Sequence, residues 1–170
     1  MQRFEDLLID QIPALRRYAC ALCRDPVQAD DLVQECLARA VDKRGLWIRQ
    51  RGIRPWLFSI LHNAFIDEMR RQSAAPIDTD AAADPQAMAS EQDADLLCAM
   101  SDFEKALRGL PAEQREVLLL VGLEQMTYRQ AAKVIGSPVG TVMSRLARAR
   151  EQLASNLEGE TRQARIKRIK

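Results

Sequence analysis

Apolar side chains recur at three- and four-residue intervals over most of this chain, the spacing of one face of an α-helix. From Phe4 to Cys23 the repeating positions are Leu7, Leu8, Ile12, Leu15, Ala19 and Leu22, with Pro13 as the point where a helix would kink or divide. Asp25-Pro26 closes that segment. A second helix is predicted from about Val27 to Val41, burying Leu32/Val33, Cys36/Leu37 and Ala40/Val41. Asp31, Gln34 and Glu35 share another face of it. The period is lost over residues 42–54, where Gly45, Gly52 and Trp47 stand among Lys43, Arg44, Arg49, Arg51 and Arg54. This reads as a basic loop. Pro55 then marks a helix start. The helix runs to Arg71, with Leu57, Ile60, Leu61, Ala64 and Phe65 inward and Asn63, Asp67, Arg70 and Arg71 on a separate stripe.

The pattern then stops. Residues 74–95 are rich in Ala, Asp, Gln and Pro and carry few large apolar side chains, so they read as a flexible linker. Helical spacing resumes near Leu96 and continues to Leu107, where Gly109 and Pro111 separate it from a helix over about Ala112 to Gly122. Thr127 and Gln130 have the spacing of a capping box, and the short helix they open meets Gly136, a residue suited to a left-handed C-terminal position. Ser137-Pro138 follows as N-cap and first helical residue of a helix reaching about Leu157. Two helices joined so tightly read as a helix-turn-helix. Ala132, Gly136 and Val142 fall where the pair requires a small contact, a turn and an apolar contact. On the second helix Val139, Val142, Met143, Leu146 and Leu153 are expected inward. Thr141, Ser144, Arg145 and Arg148 make an outward polar and basic stripe suited to a major groove.

Charge sharpens this division. The net charge is only +1, but residues 1–73 hold 12 Lys/Arg against 10 Asp/Glu, residues 74–102 none against 7, and residues 103–170 13 against 7. Two basic blocks flank an acidic connector, which favours a nucleic-acid partner over an evenly neutral surface. No stretch approaches the roughly 20 apolar residues of a membrane span and no secretory leader is evident, so a cytoplasmic protein with reduced thiols is expected. Cys20 and Cys23 form a CxxC, but no second CxxC exists and His62 is the single histidine. Buried helical thiols are the favoured reading, and no metal or other cofactor is expected. There is no phosphate-binding GxxxxGK[ST] loop and no convincing nucleophile–base pair, which argues against an enzyme.

The segments Ala29–Glu35, Arg54–Asn63 and Ile66–Arg71 together resemble the second conserved region of RNA polymerase sigma factors. Leu110–Leu118, Thr127–Ala132, Pro138–Val142 and Ser144–Arg150 resemble the fourth. With only these two regions, the chain resembles the extracytoplasmic-function (group IV) sigma factors. The resemblance implies an all-α protein of two small domains: 1–73 of region 2 type, an acidic linker 74–95, 96–160 of region 4 type, and a basic tail 161–170. It implies an alternative sigma factor that binds core RNA polymerase at the beta-prime clamp and beta flap and directs it to specific promoters. Asp31, Gln34 and Glu35 would meet the polymerase. Lys43, Arg44, Trp47, Arg49, Arg51, Arg54, Asn63, Asp67, Arg70 and Arg71 would serve the minus-ten element, Trp47 by pocketing a flipped base and Asn63 as a base reader. Arg129, Ser137, Thr141, Ser144, Arg145 and Arg148 would serve the minus-thirty-five element. An anti-sigma factor, soluble or at the inner membrane, would hold the protein inactive. The loop after Asp42 is richer in arginine than is common in the family.

Two other functions compete. A dimeric helix-turn-helix regulator would use only the second half and make the first a sensor, which the basic, Trp-bearing segment 42–54 disfavours. A sigma mimic that titrates an anti-sigma protein would not need the basic stripe on the last helix.

Overall fold

A computed structural model describes residues 3–23, 25–47, 52–74 and 102–168. The first domain is a three-helix unit: α1 (Phe4–Cys23), α2 (Pro26–Asp42) and α3 (Ile53–Ala74), with a short 3-10 turn at Arg44–Leu46 after α2. The second comprises α4 (102–108), α5 (Ala112–Leu118) with a π-helical turn at Leu119–Leu123, α6 (Tyr128–Ile135) and α7 (Val139–Arg168). No strand occurs among the described residues. The expected linker from residue 75 onward, the proposed helix start near Leu96, Arg49 and Arg51 lie outside the described residues.

Local chemistry explains most boundaries. Asp25 accepts the amide of Val27 at 2.9 Å and so caps α2, with Pro26 at its first position. Pro13 lies inside an unbroken α1. Gly52, at φ +73°, makes the left-handed turn that lets α3 begin at Ile53, ahead of Pro55 rather than at it. The expected capping box is present, Gln130 N donating to Thr127 Oγ1 at 3.2 Å and Thr127 N to Gln130 Oε1 at 2.9 Å. Gly136 sits at φ +63°. The carbonyl of Pro138 accepts the amides of Thr141 and Val142, so α7 starts at Val139, one residue later than expected, and continues past Leu157 to Arg168.

The first core is built from Leu15, Tyr18, Ala19 and Leu22 of α1, Leu32, Val33 and Cys36 of α2, and Leu57, Phe58, Leu61 and Ala64 of α3, all buried. Cys36 Sγ donates to the Leu57 carbonyl at 3.4 Å, joining α2 to α3. In the second domain Val117, Leu120, Ala131, Val134, Val142, Leu146 and Ala149 are buried. The two cores abut. α3 packs on α6, and α1 packs on α5 and the π turn.

Candidate nucleic-acid interface

The helix-turn-helix forms as its local chemistry dictates. Ala132 and Val142 are buried against each other's helices and Gly136 turns the chain between them. Along α7 the buried positions are Val142, Leu146 and Ala149. At about 100° per residue that stripe leaves the opposite face to Gly140, Ser144, Ala147 and Arg148, all exposed. Thr141 and Ser137 are half-exposed, and Arg129 is exposed on α6. Arg145 is drawn aside, its guanidinium 2.6 Å from Glu113 on α5. Val139 and Met143 are a correction. They were expected inward, but both are exposed, at 38% and 52%. The inward stripe needs only Val142, Leu146, Ala149 and Leu153, and Met143 stands about a quarter-turn away from it.

In the first domain, Asp31 and Gln34 are exposed on α2. Glu35 is half-exposed and accepts from Arg39 at 2.6 Å, while Arg39 also reaches Asp67 on α3 at 3.3 Å. Burial works to lower the Arg39 pKa, and its two carboxylate partners more than offset this and raise it. Asn63, Asp67, Arg70 and Arg71 form the expected exposed stripe on α3, with Arg71 3.4 Å from Glu68. Lys43 and Arg44 are exposed at the end of α2 and in the 3-10 turn. Trp47 follows that turn half-buried, its ring centroid 5.5 Å from Phe4, which in turn lies 6.2 Å from Trp56. The buried indole N–H of Trp47 has no acceptor among the described residues. The minus-ten candidates therefore divide between a loop end (Lys43, Arg44, Trp47) and an α3 stripe (Asn63, Asp67, Arg70, Arg71).

Arg54 has a different environment from either. It donates to the Glu124 carboxylate at 2.5 Å and to the Glu124 carbonyl at 3.0 Å, and its guanidinium lies 5.2 Å from the Phe58 ring centre. Arg17 makes a bidentate pair with the same carboxylate, at 3.0 and 2.9 Å. Glu124, in the second domain, is thus fully buried between two cations of the first. A second carboxylate, Glu116, accepts from Tyr18 Oη at 3.2 Å and lies against Nδ1 of His62. Burial first, and Glu116 next, push the Tyr18 phenol well above its usual range.

Sequence reasoning missed Glu116, Glu124, Arg17 and His62 as partners. The π turn is what delivers Glu124: Glu124 N donates to the Leu119 carbonyl and Met126 N to that of Leu120, and Gln125 takes φ +53°. Such insertions often occur where a helix serves a special contact. A carboxylate at the end of an apolar run was the available signal.

The fold and this surface define a two-domain, helical, helix-turn-helix protein with cationic faces on both halves. Residues 8–62 match the sigma2 domain of PhyR and residues 100–153 match sigma-70 region 4. The chain is 35% identical to the ECF RNA polymerase sigma factor EcfG of Rhodopseudomonas palustris, over 89% of this chain and 83% of that one. It is 33% identical to the ECF sigma factor SigC of Mycobacterium tuberculosis, over 81% and 75%. Among solved structures, the sigma factor RpoE of Bartonella quintana, in complex with the anti-sigma factor NepR, aligns with a TM-score of 0.74 at 33% identity, covering 91% of this chain and 96% of that one. CnrH in complex with the cytosolic domain of CnrY aligns at 0.69 and 26%, covering 92% and 88%. The chain belongs to the extracytoplasmic-function RNA polymerase sigma factors.

Sigma factors are not enzymes. Among the described residues no helix is long and apolar enough to cross a membrane, and no cluster of three potential metal ligands occurs.

Proposed function

We propose that this chain is an alternative sigma factor that binds core RNA polymerase and carries it to specific promoters. The observation that carries the reading is the presence, in one chain, of both family regions with a formed helix-turn-helix whose outward face bears no carboxylate before Glu151. The exposed Asp31 and Gln34, with the half-exposed Glu35 that pairs with Arg39, present a polar surface on α2, and we assign it to the beta-prime clamp. Lys43, Arg44, Arg49, Arg51, Arg70 and Arg71 would hold the strand phosphates of the minus-ten element. Trp47 would take an unstacked base, with Asn63 and Asp67 nearby on the reading side. The second domain would dock on the beta flap and place Arg129, Ser137, Thr141, Ser144 and Arg148 on the minus-thirty-five duplex, Arg145 joining after release from Glu113.

Relatives solved in complex with NepR and with the cytosolic domain of CnrY support an anti-sigma partner for this chain, and that partner would determine whether it is free in the cytoplasm or held at the inner membrane. The acidic connector would thread toward the polymerase's RNA path.

Assembly tests the reading. The purified chain should form a stable complex with core RNA polymerase, and the double charge reversal Asp31→Lys/Glu35→Lys should weaken it at least tenfold with helicity unchanged. Undiminished affinity in that variant would remove the clamp assignment, and no complex with the unaltered chain would remove the function.

A further inference from the structure

We infer that Met143, seconded by Val139, reads thymine methyl groups in the upstream promoter duplex, so that part of this protein's sequence preference is apolar rather than hydrogen-bonded. The inference rests on the reading of the second domain as a duplex binder and adds a specificity determinant to it.

α7 completes its inward packing with Val142, Leu146, Ala149 and the half-buried Leu153. Met143 and Val139 lie one turn apart outside that stripe and keep 52% and 38% of their surface in water. They stand in the first turns of the helix, the part of a recognition helix that reaches base edges. Ser144, Ala147 and Arg148 share this exposed side. Lone exposed apolar residues are ordinary. Here, however, two large ones sit among outward positions otherwise held by Gly140, Thr141, Ser144 and Arg145.

Gly140 is the second observation. A Cβ built on it would meet nothing within 4 Å, so no packing inside the chain calls for glycine there. Glycine inside a helix costs roughly 1 kcal/mol relative to alanine. The missing side chain, three residues earlier on the helix, instead clears the surface beside Met143 for close approach from outside.

The surroundings specify what approaches. Residues 139–150 contain Arg145, Arg148 and Arg150 and no carboxylate, and α6 adds exposed Arg129 and Lys133. A polyanion fits this surface, whereas an acid-rimmed apolar patch would repel one. Within the major groove, the apolar group that a methionine thioether can meet is the C5 methyl of thymine. The flexible Met143 side chain can follow that methyl without a strict rotamer.

The test begins with duplexes selected from a random library by the full chain bound to core RNA polymerase. In the selected upstream element, each thymine is replaced singly by deoxyuridine, which removes only the methyl. One methyl buried against an apolar side chain corresponds to roughly a fourfold change in affinity. The unaltered protein should show a loss of that order at one or two thymines. Met143→Ala should bind thymine DNA more weakly by a similar factor and become indifferent to deoxyuridine at one of those positions, while Met143→Leu should stay sensitive. Insensitivity of the unaltered protein at every thymine, or the same sensitivity retained in Met143→Ala, would overturn the inference while leaving duplex binding intact. Failure to retain any duplex would instead overturn the promoter reading, and the inference with it.

Discussion

At the scale of single residues, chemistry is set by what each side chain touches. Trp47 is held half-buried against Phe4, their ring centroids 5.5 Å apart. An aromatic surface returns roughly 1–3 kcal/mol to an unstacked base, comparable to the cost of unstacking it. Trp47→Ala should therefore leave upstream duplex binding within about twofold while lowering permanganate reactivity of promoter thymines, and a premelted bubble should restore part of the lost transcription. Normal opening by this variant would refute the base-capture role. Cys36 makes a different prediction. Burial pushes its thiol from 9.0 up to about 12, because the neutral form is favoured in the core. Folded Cys36 thus keeps its proton over a range where the unfolded chain loses it. The stability tied to it is whole below pH 9 and drains as pH rises toward about 12. Denaturation midpoints should fall across that window, and less steeply for Cys36→Ala. The thiol of Cys23, at about 11, is raised by burial and by Cys20, so exposed Cys20 should alkylate before Cys23, and Cys36 last.

At the scale of elements, what was legible in the sequence was what neighbours in sequence decide. The cap at Thr127–Gln130, the left-handed Gly136 and the apolar stripes of α1, α2 and α3 are all local, and each lies where its spacing indicates, except that Val41, expected inward at the end of α2, is 50% exposed. Thr127→Ala should cost about 1 kcal/mol of second-domain stability through its lost cap. Gly136→Ala should cost on the order of 1–2 kcal/mol from its φ alone, since a Cβ there meets nothing within 4 Å. Both are readable as thermal unfolding midpoints, and an unchanged midpoint for Gly136→Ala would mean the turn is made otherwise. The errors were also physical. Val139 and Met143 are apolar, and periodicity alone cannot tell a second apolar row that meets a partner from one that meets the core. Phe58 is fully buried but was absent from the predicted stripe of α3; it packs on Tyr18 of α1, their ring centroids 5.1 Å apart. The π turn at Leu119–Leu123 has no signal in an apolar run that fits an ordinary helix equally well.

At the scale of the whole molecule, the least legible feature is the polar contact between the halves. Glu124 pairs with residues 107 and 70 positions earlier in the chain, and Glu116 with residues 98 and 54 earlier. Those separations leave no trace in a local pattern. The contact also occupies Arg54, a minus-ten candidate, so the packed arrangement and use of Arg54 on DNA exclude one another. Removing one partner of a buried pair commonly costs about 3–5 kcal/mol, because the remaining charge is left without compensation. The variant Arg17→Ala/Arg54→Ala strands the Glu124 carboxylate and should separate the domains. Solution scattering should show a larger radius of gyration at unchanged helicity, whereas a radius equal to that of the unaltered chain would show that these pairs do not hold the halves together. Glu124→Ala removes the buried charge as well and should open the molecule less. All of this matters only if the two halves work on one promoter under one polymerase. The most direct measurement is run-off transcription by core RNA polymerase on a promoter library, with and without this chain. Specific start sites that appear only when the chain is added, each preceded by a common pair of sequence elements, are the predicted result. Identical transcripts in both reactions would contradict the account.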